Sequence, residues 1–263
     1  MNRGQPIAML KVNRALTNSK PAADRTQTTV NSAALFGRLP QRALRRNVIA
    51  SLLTAIFKGQ LREGDWLNAQ QLAEQFGVSA TPVREALVEM AAVGIVEMQH
   101  NRGTVVRPFG PVQLQDIYHL RRVLETEATR CASGRIPVET LTELKQEMTD
   151  LLGNRRAANW SDRAMKSDRK LHELVAKHCG SQRLAEEIAR YHTLIQCIRD
   201  VVGNQSAAQQ CALTEHLEII HPLVKGQTER AAGAMARHIQ NTADRIEAAL
   251  FADAETKGNA ATK

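Results

Sequence analysis

The sequence is poor in three features that would restrict its class: aromatic residues, paired cysteines and long apolar runs. Aromatic residues make up 3% of the 263 positions, so the apolar stripes are built from Leu, Ile, Val, Ala and Met. The cysteines show no close paired spacing and fall in helical apolar patterns, which predicts buried free thiols in a reducing compartment. They are Cys131, Cys179, Cys197 and Cys211. No run of about eighteen apolar residues and no secretory signal is present, so we expect a cytoplasmic protein with no membrane partner.

The length of the chain and its charge distribution predict two unlike domains. Residues 1–107 contain 14 Lys and Arg against 7 Asp and Glu, whereas residues 108–263 contain 21 against 20. A basic domain gains affinity for a phosphate backbone by releasing counterions, although a basic surface that serves only solubility explains the excess equally well. Residues 1–40 lack sustained periodicity, which predicts a flexible N-terminal arm.

The stretch from Gly77 to Leu87 is typical of the turn and second helix of a helix-turn-helix. Gly77 can end the preceding helix, Ser79 or Thr81 can cap the next one, and Pro82 falls in its first turn. Two short helices joined so closely cross steeply, and the second can enter a major groove. This pattern makes double-stranded DNA the first partner to consider.

The sequence on either side of this motif predicts a winged helix over residues 41–108. Before it, 45–57 carries a helical apolar stripe that Lys58 and Gly59 end. After it, the β-like runs 95–98 and 104–106 bracket a turn with a basic tip at 100–103. Three helices followed by a small hairpin form this fold.

Residues from about 48 to 108 resemble the DNA-binding domain of the GntR family of bacterial regulators. The matching residues are Gly59-Gln60-Leu61, Gly64, Leu72-Ala73, Val78-Ser79, Thr81 to Leu87, Gly94-Ile95-Val96 and Arg102 to Val106. The resemblance implies a homodimer on a pseudo-palindromic operator.

We expect Arg84 to contact a base or phosphate, unless it only pairs with a neighbouring carboxylate. Further DNA contacts are expected from Ser79 and Thr81 near the helix start, from Arg102 and Gly103 in the wing, and from Gln70. Many relatives carry Arg in place of Gln70 and Ala80, so the family's operator sequence is not carried over.

Beyond a linker at 108–111, the sequence predicts an all-α antiparallel bundle of six or seven helices over 109–252, followed by a disordered tail at 253–263. The fold class is therefore mostly α. The predicted helices span 112–133, 137–153, 159–178, 181–202, 207–224 and 228–251.

Polar residues occupy inward positions of these helices. Arg121 lies within an apolar stripe and needs an anion, for which Glu125 one turn later is the structural candidate. Asp168 and His172 are one turn apart, a spacing that suits either a shared metal ion or a structural hydrogen bond. His216 and His238 fall on or near the inward faces of two later helices. Together these four residues suit zinc, nickel or a similar divalent ion, with zinc favoured.

The C-terminal half resembles the FCD effector domain of the FadR subfamily. The resemblance rests on Arg121 to Glu125, Asp168 with Leu171-His172, Gly180 with Arg183-Leu184, Glu215-His216 and Ala236 to His238. It implies metal ligands at Asp168, His172, His216 and His238, with Arg121 facing the same cavity, where it and the metal would hold a small carboxylate effector. The sequence thus predicts a ligand-responsive transcriptional regulator, a repressor rather than an enzyme. Two alternatives remain, a metal-dependent hydrolase and an architectural DNA-binding protein with a structural metal.

Overall fold

A computed structural model describes residues 41–258 of the chain apart from 101 and 204–205. The chain divides after Pro108 into two compact units. The arm predicted at 1–40 lies outside the described residues. Among the described helices, none combines the length and the apolar character that a membrane crossing requires.

The N-terminal unit contains the three predicted helices, α1 (Gln41–Phe57), α2 (Ala69–Phe76) and α3 (Ala80–Ala92). Its core is the apolar stripe of α1 packed against α3, with Ile49, Leu52, Val83 and Ala86 fully buried. Gly77 ends α2 in the left-handed conformation, with φ of 65°, which a residue with a Cβ adopts only at a cost. This turn joins α2 to α3, which pack against each other.

Three short strands form the wing: β1 (Trp66–Leu67), β2 (Val96–Gln99) and β3 (Gly103–Val106). They form an antiparallel sheet in the order β1-β3-β2, in which Trp66 pairs with Val105 and Val96 with Val106. The hairpin of β2 and β3 was predicted. Strand β1 was not, because a two-residue strand is too short to show an alternating pattern.

The C-terminal unit is helical throughout its described part. Its helices are α4 (Pro111–Ala132), α5 (Val138–Gly153), α6 (Trp160–His178), α7 (Gln182–Val202), α8 (Ser206–Val224) and α9 (Thr228–Gly258). Helix α4 packs against α6, α7 and α9, and α8 packs against α5, α6 and α9. The last helix is longer than the predicted 228–251: α9 continues to Gly258, because the Ala- and Glu-containing segment that follows has no helix-breaking residue before that glycine.

The prediction of buried cysteines holds for only part of the set. All four thiols are free, and Cys179 and Cys197 are buried. Cys131 is partly exposed and Cys211 is exposed. The apolar pattern around Cys211 failed as a guide because it lies in the alanine-rich first turns of α8, where small side chains mark no single buried face.

Candidate metal centre and nucleic-acid interface

The predicted DNA-contacting residues all lie on the surface of the N-terminal unit. Helix α3 buries Pro82, Val83, Ala86, Leu87 and Met90. The six residues predicted to contact DNA are exposed, as are others of this region such as Val88 and Met98. The six are Gln70, Ser79, Thr81, Arg84, Arg102 and Gly103.

Among the described residues, Arg84 does not pair with a neighbouring carboxylate, which was the alternative to a DNA contact. The carboxylates beside it on α3 are engaged by α1: Gln41 donates to Glu85 at 2.8 Å and Arg45 lies 3.1 Å from Glu89. Within the part of the chain that the structure describes, Arg84 has no carboxylate partner. Its guanidinium is therefore available to a phosphate or to a base edge.

The expected capping of α3 is not observed. Ser79 occupies the N-cap position, but its side chain makes no capping hydrogen bond. The side chain that does cap a helix here is Asn68, which accepts from the backbone amides of Gln70 and Gln71. Since its hydroxyl is exposed and does not cap the helix, Ser79 can donate to an external acceptor.

Trp66 is an exposed residue of the wing that sequence reasoning missed. Its side chain is 53% exposed, and its ring lies 3.6 Å from the point where a Cβ on Gly103 would stand. Gly103 itself has a φ of 110°, a conformation that favours glycine. The wing thus presents a flat aromatic ring beside a backbone without a side chain.

In the C-terminal unit, four predicted residues from three helices converge. Asp168 and His172 of α6, His216 of α8 and His238 of α9 each offer a ligand atom, and these atoms lie within 4.8 Å of one another. All four residues are buried, with exposed fractions of 5% or less. The inward faces predicted from helical periodicity are therefore the faces that meet here.

The distances within the cluster suit a metal ion. His216 Nε2 lies 3.2 Å from His238 Nε2 and 3.4 Å from Asp168 Oδ1, and His172 Nε2 lies 4.0 Å from the same oxygen. Ligands about 2.1 Å from a tetrahedral ion are separated by roughly 3.4 Å. In addition, Asp168 Oδ1 is buried and has no hydrogen-bond partner among the described residues. A cation between these atoms would give Asp168 Oδ1 a partner. The four side chains therefore fit a divalent metal ion.

Two carboxylates orient the imidazoles. Glu215 Oε2 lies 2.8 Å from His238 Nδ1, and Glu125 Oε2 contacts His172 Nδ1. An ionised carboxylate only accepts, so both Nδ1 atoms donate and the lone pair of each ring is on Nε2. That is the nitrogen facing the cluster, and carboxylate-to-histidine contacts of this kind are usual around protein-bound metals.

The fourth residue, Asp168, is fixed through its other oxygen. Arg199 and Gln196 of α7 donate to Asp168 Oδ2 at 2.9 and 3.2 Å. Sequence reasoning missed both donors. The signal was present in the spacing of His192, Gln196 and Arg199, which places three polar residues on one face of α7.

The electrostatics keep the carboxylates charged, and burial lowers the pKa values of His216 and His238. Burial opposes ionisation of Asp168, but Arg199 and the nearby histidines outweigh it and hold its pKa well below the usual range. Burial likewise opposes ionisation of Glu125 and Glu215, and their Arg and His partners lower both pKa values. Burial lowers the pKa of His238 to about 4. Ionised carboxylates and neutral imidazoles are the forms that bind metals.

Arg121 has the salt bridge that the structural alternative required, since its Nε lies 2.5 Å from Glu125 Oε1. Its Nη1, however, is buried and has no hydrogen-bond partner among the described residues. The hydroxyl of Tyr118, one turn earlier on α4, is also buried and has no hydrogen-bond partner among the described residues. Arg121 therefore combines the structural role with a free donor, and Tyr118 adds a second polar group that the sequence did not reveal.

His192 also lies beside the cluster. Its ring centroid is 5.6 Å from that of His172, and its Nε2 lies 3.2 Å from Gln196 Nε2. Burial lowers the pKa of His192 to about 3. His192 is therefore a buried, partnered histidine.

Comparisons with known proteins agree with this two-part construction. The family model for bacterial regulatory proteins of the gntR family matches residues 44–106, and the model for the FCD domain matches residues 116–241. The chain belongs to the GntR family of regulators. Its FCD domain contains the whole metal-compatible cluster.

Relatives of this GntR-family regulator are transcriptional regulators. The repressor RspR of Escherichia coli K12 is 22% identical over 223 residues, which cover 84% of this chain and 92% of that protein. The Nta operon transcriptional regulator of Aminobacter aminovorans is 27% identical over 187 residues, covering 70% and 86%. Among solved structures, E. coli McbR/YncC has 20% identity and a TM-score of 0.55, covering 80% of this chain and 98% of that one. The last similarity concerns the fold.

Proposed function

We propose that this regulator is a repressor of the FadR subfamily whose FCD domain binds a divalent metal ion and a small carboxylate effector. Asp168, His172, His216 and His238 would hold the ion. Arg121 would hold the effector carboxylate. The protein would act as a homodimer on a pseudo-palindromic operator, which is the usual arrangement for a paired DNA-reading helix. One relative is itself named as a repressor.

The observation that carries the proposal is the buried cluster of three histidines and one aspartate in a chain with a DNA-binding domain. Burial without a cation leaves Asp168 Oδ1 without a hydrogen-bond partner among the described residues, and a buried polar atom in this condition costs free energy. When bound, the ion would supply positive charge and Lewis acidity to the cluster. Zinc is our first choice because it accepts nitrogen and oxygen ligands in a four-coordinate site.

The residues around the cluster can hold and sense an acid. Arg121 Nη1 offers a charged donor for a carboxylate oxygen. Arg121 belongs to α4, which packs against α6, α7 and α9, so an effector that moves this residue changes the packing of several helices. A ligand with different affinities for two packings shifts the equilibrium between them and thereby the affinity for DNA.

The hydrolase alternative lacks a suitable base. The carboxylates nearest the histidines are Glu125 and Glu215, and the pKa of each is lowered by its Arg and His partners despite burial. A general base is efficient when its pKa lies near the working pH, and the pKa of each of these groups is shifted away from it. Family membership also indicates a DNA-binding transcription regulator.

The test is a titration of a labelled DNA fragment from the region upstream of the protein's own gene, followed by fluorescence anisotropy. We expect binding by the metal-loaded protein that a carboxylate releases. His216→Ala should lose both metal affinity and release by the acid. The matched control is His221→Ala, because His221 lies on the same helix and is exposed. Equal metal binding by the two variants, or DNA binding that responds to no carboxylate, would contradict the proposal.

A further inference from the structure

The charges around the metal-compatible cluster cancel in pairs. Arg121 lies 2.5 Å from Glu125, Arg199 lies 2.9 Å from Asp168, and Arg245 lies 2.9 Å from Glu215. Each carboxylate that binds or orients a ligand atom therefore has its own arginine. With the imidazoles neutral, as metal binding requires, these groups carry no net charge.

A divalent ion changes this balance. It adds two positive charges to a region whose ligands are at most 5% exposed, and the carboxylates that could offset them are already neutralised by arginines. An uncompensated charge in a buried site is costly, and a bound counter-ion removes that cost.

We infer that the effector is a dianion, a dicarboxylate or an acid of equal charge, and that a monocarboxylate leaves the loaded site one charge short. This inference rests on the proposed function, since it specifies the chemical class that the same site selects. The pairing of every ligand-side carboxylate with an arginine is the feature that leads to it.

Two buried donors are placed to receive the second anionic group. Arg121 Nη1 and the Tyr118 hydroxyl both lack a hydrogen-bond partner among the described residues, and the Arg121 guanidinium carbon lies 5.9 Å from the centre of the Tyr118 ring. Tyr118 is also within electrostatic range of Arg199 and Asp168. A ligand with one carboxylate at the metal and another at these donors would satisfy both.

The test compares acids matched in chain length and different in charge. Isothermal titration calorimetry on the full chain loaded with Zn²⁺ would measure malonate, succinate and glutarate against propionate, butyrate and valerate. A unit charge held about 6 Å from an uncompensated one gains roughly 100-fold at an effective dielectric constant of about 20, and desolvation offsets part of this gain. We expect the best dicarboxylate to bind about tenfold or more tightly than its matched monocarboxylate.

Variants distinguish the effect of the charge of the site on effector binding from the effect of its other contacts. Arg199→Gln removes one positive charge and should reduce the dianion preference, whereas Arg199→Lys should keep it. Tyr118→Phe removes an uncharged donor to the second anionic group, so it should weaken the dicarboxylates and leave the binding of the monocarboxylates unchanged. If Arg199→Gln does not fold, the metal-free parent serves instead, because it should show no charge preference.

Two results would overturn the inference in different ways. Equal binding of the two series by the loaded parent would refute the dianion and leave a carboxylate sensor standing. Binding of Zn²⁺ with no binding of either series would refute the dianion and the proposed effector together.

Discussion

Glu215 should control metal affinity although it is not among the four proposed ligands. Its Oε2 lies 2.8 Å from His238 Nδ1, and Arg245 and Asn241 donate to the same carboxylate at 2.9 Å. These contacts fix the ring of His238 and keep its Nε2 directed at His216. Loss of such an orienting carboxylate costs about 10- to 100-fold in metal affinity.

We expect Glu215→Gln to lose less metal affinity than Glu215→Ala. Glu215→Gln keeps an acceptor for His238 but removes the negative charge, so we expect about a tenfold loss, or about 1.4 kcal/mol. Glu215→Ala removes the acceptor as well and should approach a 100-fold loss, about 2.7 kcal/mol. Arg245 remains 30% exposed, so water can solvate its unpaired charge and the fold should survive.

Competition between the protein and a chromophoric chelator for Zn²⁺ would measure both affinities, with circular dichroism to verify the helical content. Glu218→Gln is the matched control, since Glu218 lies on the same helix and is exposed. If Glu215→Ala binds Zn²⁺ as tightly as Glu218→Gln and the parent, the orienting role assigned to Glu215 is refuted.

Three further predictions concern DNA binding, pH and the wing. Arg84→Gln should weaken binding to operator DNA by about 1–3 kcal/mol if Arg84 reads a base, and a salt titration in which the slope alone falls by about one would indicate a phosphate contact instead. For metal-free protein, the folded pKa of His238 is about 4 against the ordinary 6.5, so the unfolded chain takes up the proton first as the pH falls. Between pH 7 and pH 5 His238 alone should lower the free energy of unfolding by about 2 kcal/mol, and His192 and His216, whose pKa values are also lowered, should add to the loss. Urea melts at the two pH values would show this loss, and a rise in stability would contradict the burial of a neutral imidazole. Trp160→Phe leaves Trp66 as the single tryptophan, so operator DNA should change the remaining fluorescence if the wing contacts it, and an unchanged spectrum on saturation would place the contact elsewhere.

The metal-compatible cluster was predictable because each of its residues falls on a helical stripe. A 3.6-residue periodicity of apolar residues identifies the inward face of a helix from the sequence alone. His172 and His238 stand where an apolar residue is expected, and that contradiction is visible in the sequence. The ends of the helices were predictable for a similar reason, since Gly153 and Gly226 mark them locally.

The contacts between helices were not predictable in the same way. Glu125 was recognised as a partner for Arg121, but its contact with His172 joins α4 to α6 and depends on how those helices pack. Tyr118 was not singled out from the sequence, and only the structure shows its buried hydroxyl without a partner in the described region. Pairing between distant segments is set by the tertiary packing rather than by any spacing along the chain.

The order of the ligands along the chain has a consequence for how the protein is made. The DNA-binding unit ends at Pro108, whereas the cluster draws on α6, α8 and α9 and is complete only with His238. Since domains generally fold as units from the N-terminus during synthesis, the DNA-reading helix leaves the ribosome and folds while the His/Asp cluster still lacks residues. A nascent chain can therefore be competent for DNA before the proposed metal site is complete, and a premature stop in α8 would remove His238 from that cluster.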